Sequence, residues 1–189
     1  MKQTLKYILQ YVMENLKIAE TKHSIIIALN GGVIALALGF TASEKLLVRY
    51  LDYAVLFFAG FSIIISFFAL HARNINVKFK AKKYSDSNLL YFQNLANMRS
   101  EELLKNIIKY YGYPNNYKID NFEIDLSSTI IANSKIVKRK FELFNKSTLF
   151  CVLSILSCLV AFLLNGVLLW RSIKTNINPV KIKIITKKA

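Results

Sequence analysis

Three uninterrupted apolar blocks constrain this chain more than any other feature of its sequence. They cover residues 24–40, 53–72 and 149–170, and none contains Asp, Glu, Lys or Arg. An α-helix rises about 1.5 Å per residue, so about 20 apolar residues cross the hydrocarbon core of a bilayer. A buried core helix would explain one such block, but three blocks in 189 residues favour membrane spans. We therefore predict transmembrane helices at about 24–43, 53–72 and 149–170.

The segment before the first block, residues 1–23, shows helical periodicity. Its apolar residues recur mostly at spacings of three and four, and the charged residues fall on the opposite face. A signal peptide is the alternative for this end of the chain, but signal peptides begin with a short basic stretch. The pattern predicts an amphipathic cytoplasmic helix that is retained. It either lies along the membrane or packs on other cytoplasmic helices, and its mixed charge favours packing.

The distribution of Lys and Arg indicates the orientation in the membrane. Residues 1–23 have four Lys, and residues 71–148 have 14 Lys and Arg against seven Asp and Glu. The short loop at 42–53 has no net charge. The positive-inside rule therefore places the first two segments in the cytoplasm and the loop outside. Three spans then place the tail, residues 171–189, outside as well, although it has six Lys and Arg and no acid.

The cytoplasmic segment, residues 73–148, has the pattern of three helices. The first begins at Asn88 after a cap at Asp86 or Ser87, and the second runs from Ser100 to near Gly112. The third begins at Asp120 or Asn121 and has no stop signal before the membrane. Its length to residue 171 is about 75 Å. The predicted fold is an all-α membrane protein with three spans and a membrane-proximal cytoplasmic helical bundle, in which the last helix continues into the third span.

The chain lacks the motifs of common enzymes. It has no HExxH, GxSxG, CxxC or phosphate-binding glycine loop, and its two His and two Cys argue against a structural metal site. We therefore expect no catalysis, no cofactor and no metal. The net charge of +15 is typical of spans flanked by Lys and Arg near anionic lipids. The lysine run at residues 78–83 fits a juxtamembrane polybasic segment better than specific nucleic-acid binding, which is the alternative.

Small residues in the first block suggest close helix packing. Gly31, Ala35 and Gly39 recur every four residues, a spacing that lets helices approach closely in lipid. Asn30 and Asn165 are polar residues at membrane depth, where such groups usually bond another helix. These features predict a homo-oligomer. Packing within a single protomer accounts for the same residues equally well.

Three groups of motifs, in order along the chain, resemble the transmembrane effectors of the Pycsar antiphage systems (pyrimidine cyclase systems for antiphage resistance). The first is AETKHSI at residues 19–25 with ALNG at 28–31, which enters the first span. The second is LYFQNLA at 90–96 with SEEL at 100–103, and the third is DL at 125–126 with NSKIVKRKF at 133–141. The resemblance covers about residues 15–170. The chain differs by its basic tail and by His23, where small residues are common.

This resemblance implies a role in bacterial antiphage defence. Such an effector is a multi-pass protein of the bacterial inner membrane and works beside a cyclase. The cyclase makes cyclic CMP or cyclic UMP during infection, and the nucleotide activates the membrane protein. Membrane integrity is then lost and the cell stops growing before the phage matures, which is abortive infection. A membrane scaffold or small pore-forming protein of another defence or toxin system, with a different trigger, is the alternative.

The expected ligand directs the choice of candidate binding residues. A cyclic nucleotide presents a phosphate charge, a base to stack and base edges for hydrogen bonds, which Lys, aromatic and Asn side chains can meet. The candidates are Glu20, Lys22, Tyr91, Phe92, Asn94, Asn133, Lys135, Lys138 and Lys140. The alternative is that these residues only hold the bundle together, and that Glu20 pairs with Lys135 or Lys138.

Overall fold

The computed structural model describes residues 1–40, 46–71 and 88–186, and it describes only the backbone of residues 40, 172 and 174–186. The described residues form helices and no strand. The helices are α1 Lys2–Phe40, α2 Leu46–His71, α3 Phe92–Leu95, α4 Ser100–Tyr110 and α5 Asn121–Thr186. Three of them, α1, α2 and α5, are long and apolar enough to cross a membrane. The predicted fold class is confirmed.

The chain divides into two compact units, and the first comprises residues 1–27 and 64–147. Its core is built from the apolar faces that the sequence periodicity marks. Leu5, Ile8 and Val12 of α1 are fully buried in one hydrophobic cluster with Leu103 and other residues of α4 and α5. Helices in water owe most of their stability to such a buried face. The N-terminal helix therefore packs within this unit, as its mixed charge favoured.

The start of α5 has a capping box. The backbone N–H of Glu123 donates to Asp120 Oδ1 at 2.9 Å, and the backbone N–H of Asp120 donates to Glu123 Oε2 at 3.2 Å. Lys2 forms an ion pair with Asp120, and its hydrogen bond lowers the pKa of that carboxyl. Before this cap, Gly112 has a φ of +75°, a conformation that glycine adopts without strain after a helix end. These contacts fix where α5 begins.

Several helix bounds differ from the sequence-based expectations. The helix expected from Asn88 is a single turn, Phe92–Leu95, whereas the expected helix from Ser100 is present. No break separates the N-terminal helix from the first predicted span, since α1 runs through both. The last helix reaches Thr186, past the predicted end at 171. The polybasic run at residues 78–83 lies outside the described residues.

The second unit comprises residues 28–63 and 148–189. Three polar side chains from three helices meet in its interior. The amide of Asn30 donates to Ser62 Oγ at 2.9 Å, and Ser154 Oγ donates to Asn30 Oδ1 at 3.2 Å. All three residues are fully buried. This network gives the Asn30 side chain hydrogen-bond partners within one protomer. For Asn30, packing within a single protomer is therefore the interpretation that the structure supports.

Candidate functional site

Ionic and aromatic side chains of α1, α3 and α5 meet in the first unit. We call this group the Lys140 cluster. Helix α1 supplies a carboxylate, an ammonium and an imidazole, α3 supplies one aromatic ring, and α5 supplies an ammonium and two rings. Its members are Glu20, Lys22, His23, Phe92, Lys140, Phe141 and Phe144.

The centre of the cluster is a lysine ammonium buried inside the protein. The Lys140 side chain is only 4% exposed, and its Nζ donates to Glu20 Oε1 at 2.7 Å. The Glu20 side chain is 47% exposed, so the carboxylate also faces solvent. A buried ammonium is stable only with a partner of opposite charge. Glu20 neutralises the Lys140 ammonium, which has no other salt bridge among the described residues.

A histidine joins the same stretch of α5 to α1. His23 is fully buried, and its Nε2–H donates to the backbone carbonyl of Lys140 at 3.0 Å. Its ring meets Phe144 edge-on, with centroids 5.8 Å apart. His23 was not among the binding residues predicted from the sequence. Its position three residues after Glu20, on the same helix face, was the available signal.

The second cation of the cluster lies over aromatic rings. Lys22 Nζ is 5.0 Å from the ring centre of Phe141 and 5.2 Å from that of Phe144. Phe141 also stacks on Phe92, with centroids 5.2 Å apart and ring planes 19° apart. Each cation–π contact contributes about 0.5–2 kcal/mol. The cluster thus combines two ammonium groups with stacked aromatic surface, the features that an anion with a planar ring requires.

Three other predicted residues have contacts of their own. Tyr91 is exposed and contacts Phe92, with ring centroids 5.3 Å apart. Asn94 is buried and donates to the backbone carbonyl of Asn88 at 3.3 Å. Lys138 donates to Asn97 Oδ1 at 3.0 Å.

Two predicted residues of α5, Asn133 and Lys135, have no contact with the cluster among those the structure describes. Asn133 is half-buried and Lys135 is exposed. A pairing of Glu20 with Lys135 or Lys138 was the alternative to ligand binding, and the structure pairs Glu20 with Lys140. Across the described residues, no three His, Cys, Asp or Glu side chains form a group that could hold a metal ion.

The small residues of the first span are exposed in the protomer. Gly31, Ala35 and Gly39 face outward, and a Cβ added at either glycine would meet no atom within 4 Å. Ala37, by contrast, is fully buried. Among the described residues, these three small residues therefore do not pack against another helix of the same protomer.

The fold and the cluster define a helical membrane protein with three candidate spans and a unit that gathers cations and aromatic rings. Residues 4–166 match the sequence model of the PycTM family, described as the Pycsar effector protein domain. The chain therefore belongs to the Pycsar effector family, and it is an antiphage defence effector of the membrane. No curated protein and no solved structure matches it.

Proposed function

We propose that this protein binds a cyclic pyrimidine nucleotide, cyclic CMP or cyclic UMP, in its first unit. Binding then impairs membrane integrity, and the infected cell stops growing before the phage matures. The protein itself catalyses no reaction, and a partner cyclase supplies the nucleotide. Membership of the Pycsar effector family supports the ligand class. The observation that carries the proposal is the buried Lys140 ammonium, which is paired with the half-exposed Glu20 carboxylate.

The Glu20 carboxylate occupies the place that we assign to the ligand's phosphate. A carboxylate and a cyclic phosphate diester both carry one negative charge and accept charge-assisted hydrogen bonds. Glu20 is half-exposed, so it can leave Lys140 for water at small electrostatic cost, whereas Lys140 needs an anion wherever Glu20 goes. We therefore infer that the phosphate replaces Glu20 at Lys140.

The aromatic rings of the cluster provide a stacking surface for the base. Tyr91 is exposed next to Phe92, and base stacking on aromatic side chains contributes about 1–3 kcal/mol. Lys22 lies over the rings of Phe141 and Phe144 and adds a second positive charge. A ligand with one negative charge and one planar ring is complementary to this arrangement.

Helix continuity suggests how binding affects the membrane spans. Helix α5 contributes Lys140 to the first unit and Ser154 to the second, and no helix end separates the two residues. Helix α1 likewise contains both Glu20 and Asn30. A change at the cluster can pass along such helices if two arrangements exist. Insertion of Gly-Pro after Asn145 should therefore preserve nucleotide binding and abolish the leakage that it triggers, whereas leakage that persists would refute this coupling.

The exposed face of small residues on α1 supports assembly of several copies. A lone helix in lipid gains nothing from Gly31, Ala35 and Gly39 at four-residue spacing, but a second helix can approach closely there. We propose a homo-oligomer with the N-terminus and residues 73–148 in the cytoplasm and the spans in the bacterial inner membrane.

Titration calorimetry on the detergent-solubilised full chain tests the ligand. The probes are cyclic CMP, cyclic UMP and cyclic AMP, and we expect heat from a pyrimidine nucleotide with weaker or no binding of cyclic AMP. Lys140→Met should remove that binding, whereas Lys146→Met, which changes an exposed lysine of the same helix, should retain it. Absence of binding by both pyrimidine nucleotides would overturn the proposed ligand class. Binding that survives Lys140→Met would move the site away from the cluster.

A further inference from the structure

The second candidate span contains a buried carboxylic acid. Helix α2 begins at Leu46, so Asp52 lies in its second turn and not in the outer loop to which the sequence assigned it. The residue is 1% exposed, and neither carboxyl oxygen has a hydrogen-bond partner among the described residues. An ionised carboxylate in such surroundings costs several kcal/mol, whereas the neutral acid costs much less.

No described hydrogen bond or salt bridge offsets a negative charge on Asp52. On α5, the Cys158 thiol is within electrostatic range of Asp52, and a thiol supplies only a weak hydrogen-bond donor. The part of α1 in this unit, residues 28–40, has no titratable side chain. On α2 itself, Arg49, Tyr50 and Tyr53 are exposed.

The position of Asp52 along α2 allows exchange with water. The helix has 26 residues and is about 39 Å long, which exceeds the roughly 30 Å of a bilayer's hydrocarbon core. Asp52 lies about 9 Å from the first residue of the helix. Tyr50 and Tyr53 are exposed beside it, and tyrosines concentrate at the membrane–water interface. The carboxyl group is thus buried in protein near one water-facing end of the span.

We infer that Asp52 is a proton-binding site that controls the packing of the membrane helices. The closed packing of the second unit holds Asp52 as a neutral acid. When the acid gives its proton to water, it becomes a carboxylate that requires water or a cation around it. Deprotonation therefore favours an arrangement in which water enters between the helices. The consequence for leakage rests on the proposed function, but proton binding itself does not.

The protonation state can be read directly with a lipid-soluble carbodiimide. The carboxylic acid transfers its proton to one carbodiimide nitrogen, its oxygen adds to the central carbon, and the adduct rearranges to a stable N-acylurea without another reagent. Peptide mass spectrometry of the full chain in liposomes, between about pH 5 and 9, should find this adduct on Asp52 at neutral pH, with less at higher pH. The adduct should be absent from Asp52→Asn. Labelling of Asp52 that does not fall as the pH rises would contradict the inference.

Thermal unfolding in detergent tests the protonation state of Asp52 even if the carbodiimide does not reach the carboxyl group. Asparagine resembles the neutral acid and cannot ionise. We expect Asp52→Asn to melt like the wild type near pH 4 and at a higher temperature near pH 9. An acid that the fold holds neutral loses its contribution to stability as the pH rises above its unfolded pKa of about 4. An Asp52→Asn variant that melts lower than the wild type near pH 9 would show an ionised, paired carboxylate and would overturn the inference.

Leakage measurements then test the link to function. Liposomes with the purified protein receive cyclic CMP or cyclic UMP at different external pH values, and dye release is followed. Wild-type leakage should increase severalfold from pH 6 to 8, whereas Asp52→Asn should leak little at any pH with unchanged nucleotide binding. Equal leakage by both proteins would refute control by Asp52. If neither protein binds a pyrimidine nucleotide, the proposed function fails while the labelling and melting results still judge the proton site.

Discussion

The Glu20–Lys140 pair should respond unequally to loss of its two members. The Lys140 side chain is 4% exposed and the Glu20 side chain 47%, with 2.7 Å between Nζ and Oε1. Glu20→Ala leaves a buried ammonium without its acceptor. Breaking a fully buried pair costs about 3–5 kcal/mol, and a hydrogen bond to a charged group contributes about 1.5–3 kcal/mol. Because water reaches the Glu20 side of this pair, we expect a loss of about 2–3 kcal/mol in unfolding free energy.

Removal of the lysine should reduce the free energy of unfolding far less than removal of Glu20. Lys140→Met keeps most of the aliphatic side chain in the core and returns the half-exposed Glu20 carboxylate to water. The expected loss is about 0–1 kcal/mol, since the pair's attraction is largely offset by the cost of desolvation. The measurement is unfolding in detergent with added denaturant, followed by circular dichroism, without nucleotide. Lys146→Met serves as the control and should change stability by less than about 0.5 kcal/mol.

The result that would refute this reasoning is a reversed order. If Lys140→Met destabilises the protein as much as Glu20→Ala, the ammonium contributes net stability, and burial does not make it dependent on Glu20. Such a lysine would have no need of a replacement anion. The proposed displacement of Glu20 by a phosphate would then lose its physical basis.

Three further perturbations have defined outcomes. Asn30→Leu removes a buried hydrogen-bond network and should reduce the free energy of unfolding by about 0.6–2 kcal/mol, which lowers the melting temperature in detergent. An unchanged melting temperature would show that the network does not contribute to stability. Gly31→Leu combined with Gly39→Leu should shift the crosslinking ladder of the membrane-embedded protein to smaller species, and an unchanged ladder would place the interface elsewhere. Asp120→Asn should lower the melting temperature at pH 7 but not near pH 2. The pKa of the folded Asp120 carboxyl is lowered by Lys2, so its contribution is present above the unfolded pKa and lost as pH falls through the folded value; an equal effect at both pH values would contradict this.

Much of the fold follows from periodicity in the sequence. The apolar residues of the N-terminal segment recur every three or four positions, and Leu5, Ile8 and Val12 among them form the buried face of α1. These predictions succeed because a helix that buries one face must place apolar residues every three or four positions. The first helix of the cytoplasmic segment was wrong in length. Residues 88–95 have apolar residues after the cap predicted at Asp86 or Ser87, but the helix is limited to Phe92–Leu95, where Phe92 and Leu95 are buried.

The candidate site was predicted only in part, for a geometric reason. Charge and aromatic composition selected Glu20, Lys22 and Lys140, but periodicity on one helix does not reveal its register against another. The register and rotation of α5 against α1 decide which lysine meets Glu20, and the sequence left Lys135 and Lys138 as alternatives. His23 was missed because its partner is a backbone carbonyl, which every residue offers and no motif marks.

The burial of Asp52 is a feature that hydropathy alone does not predict. A single acid near the end of an apolar block is counted with the adjoining loop, because the block without it is already long enough to span. Whether the acid faces lipid, water or protein depends on the rotation of α2 and on what packs against it. The structure turns Asp52 inward while Tyr50 and Tyr53 remain exposed. A carboxyl group in that position is neutral when protein surrounds it and charged when water reaches it. The protonation state of Asp52 therefore indicates whether the helices of the second unit are packed closely or admit water.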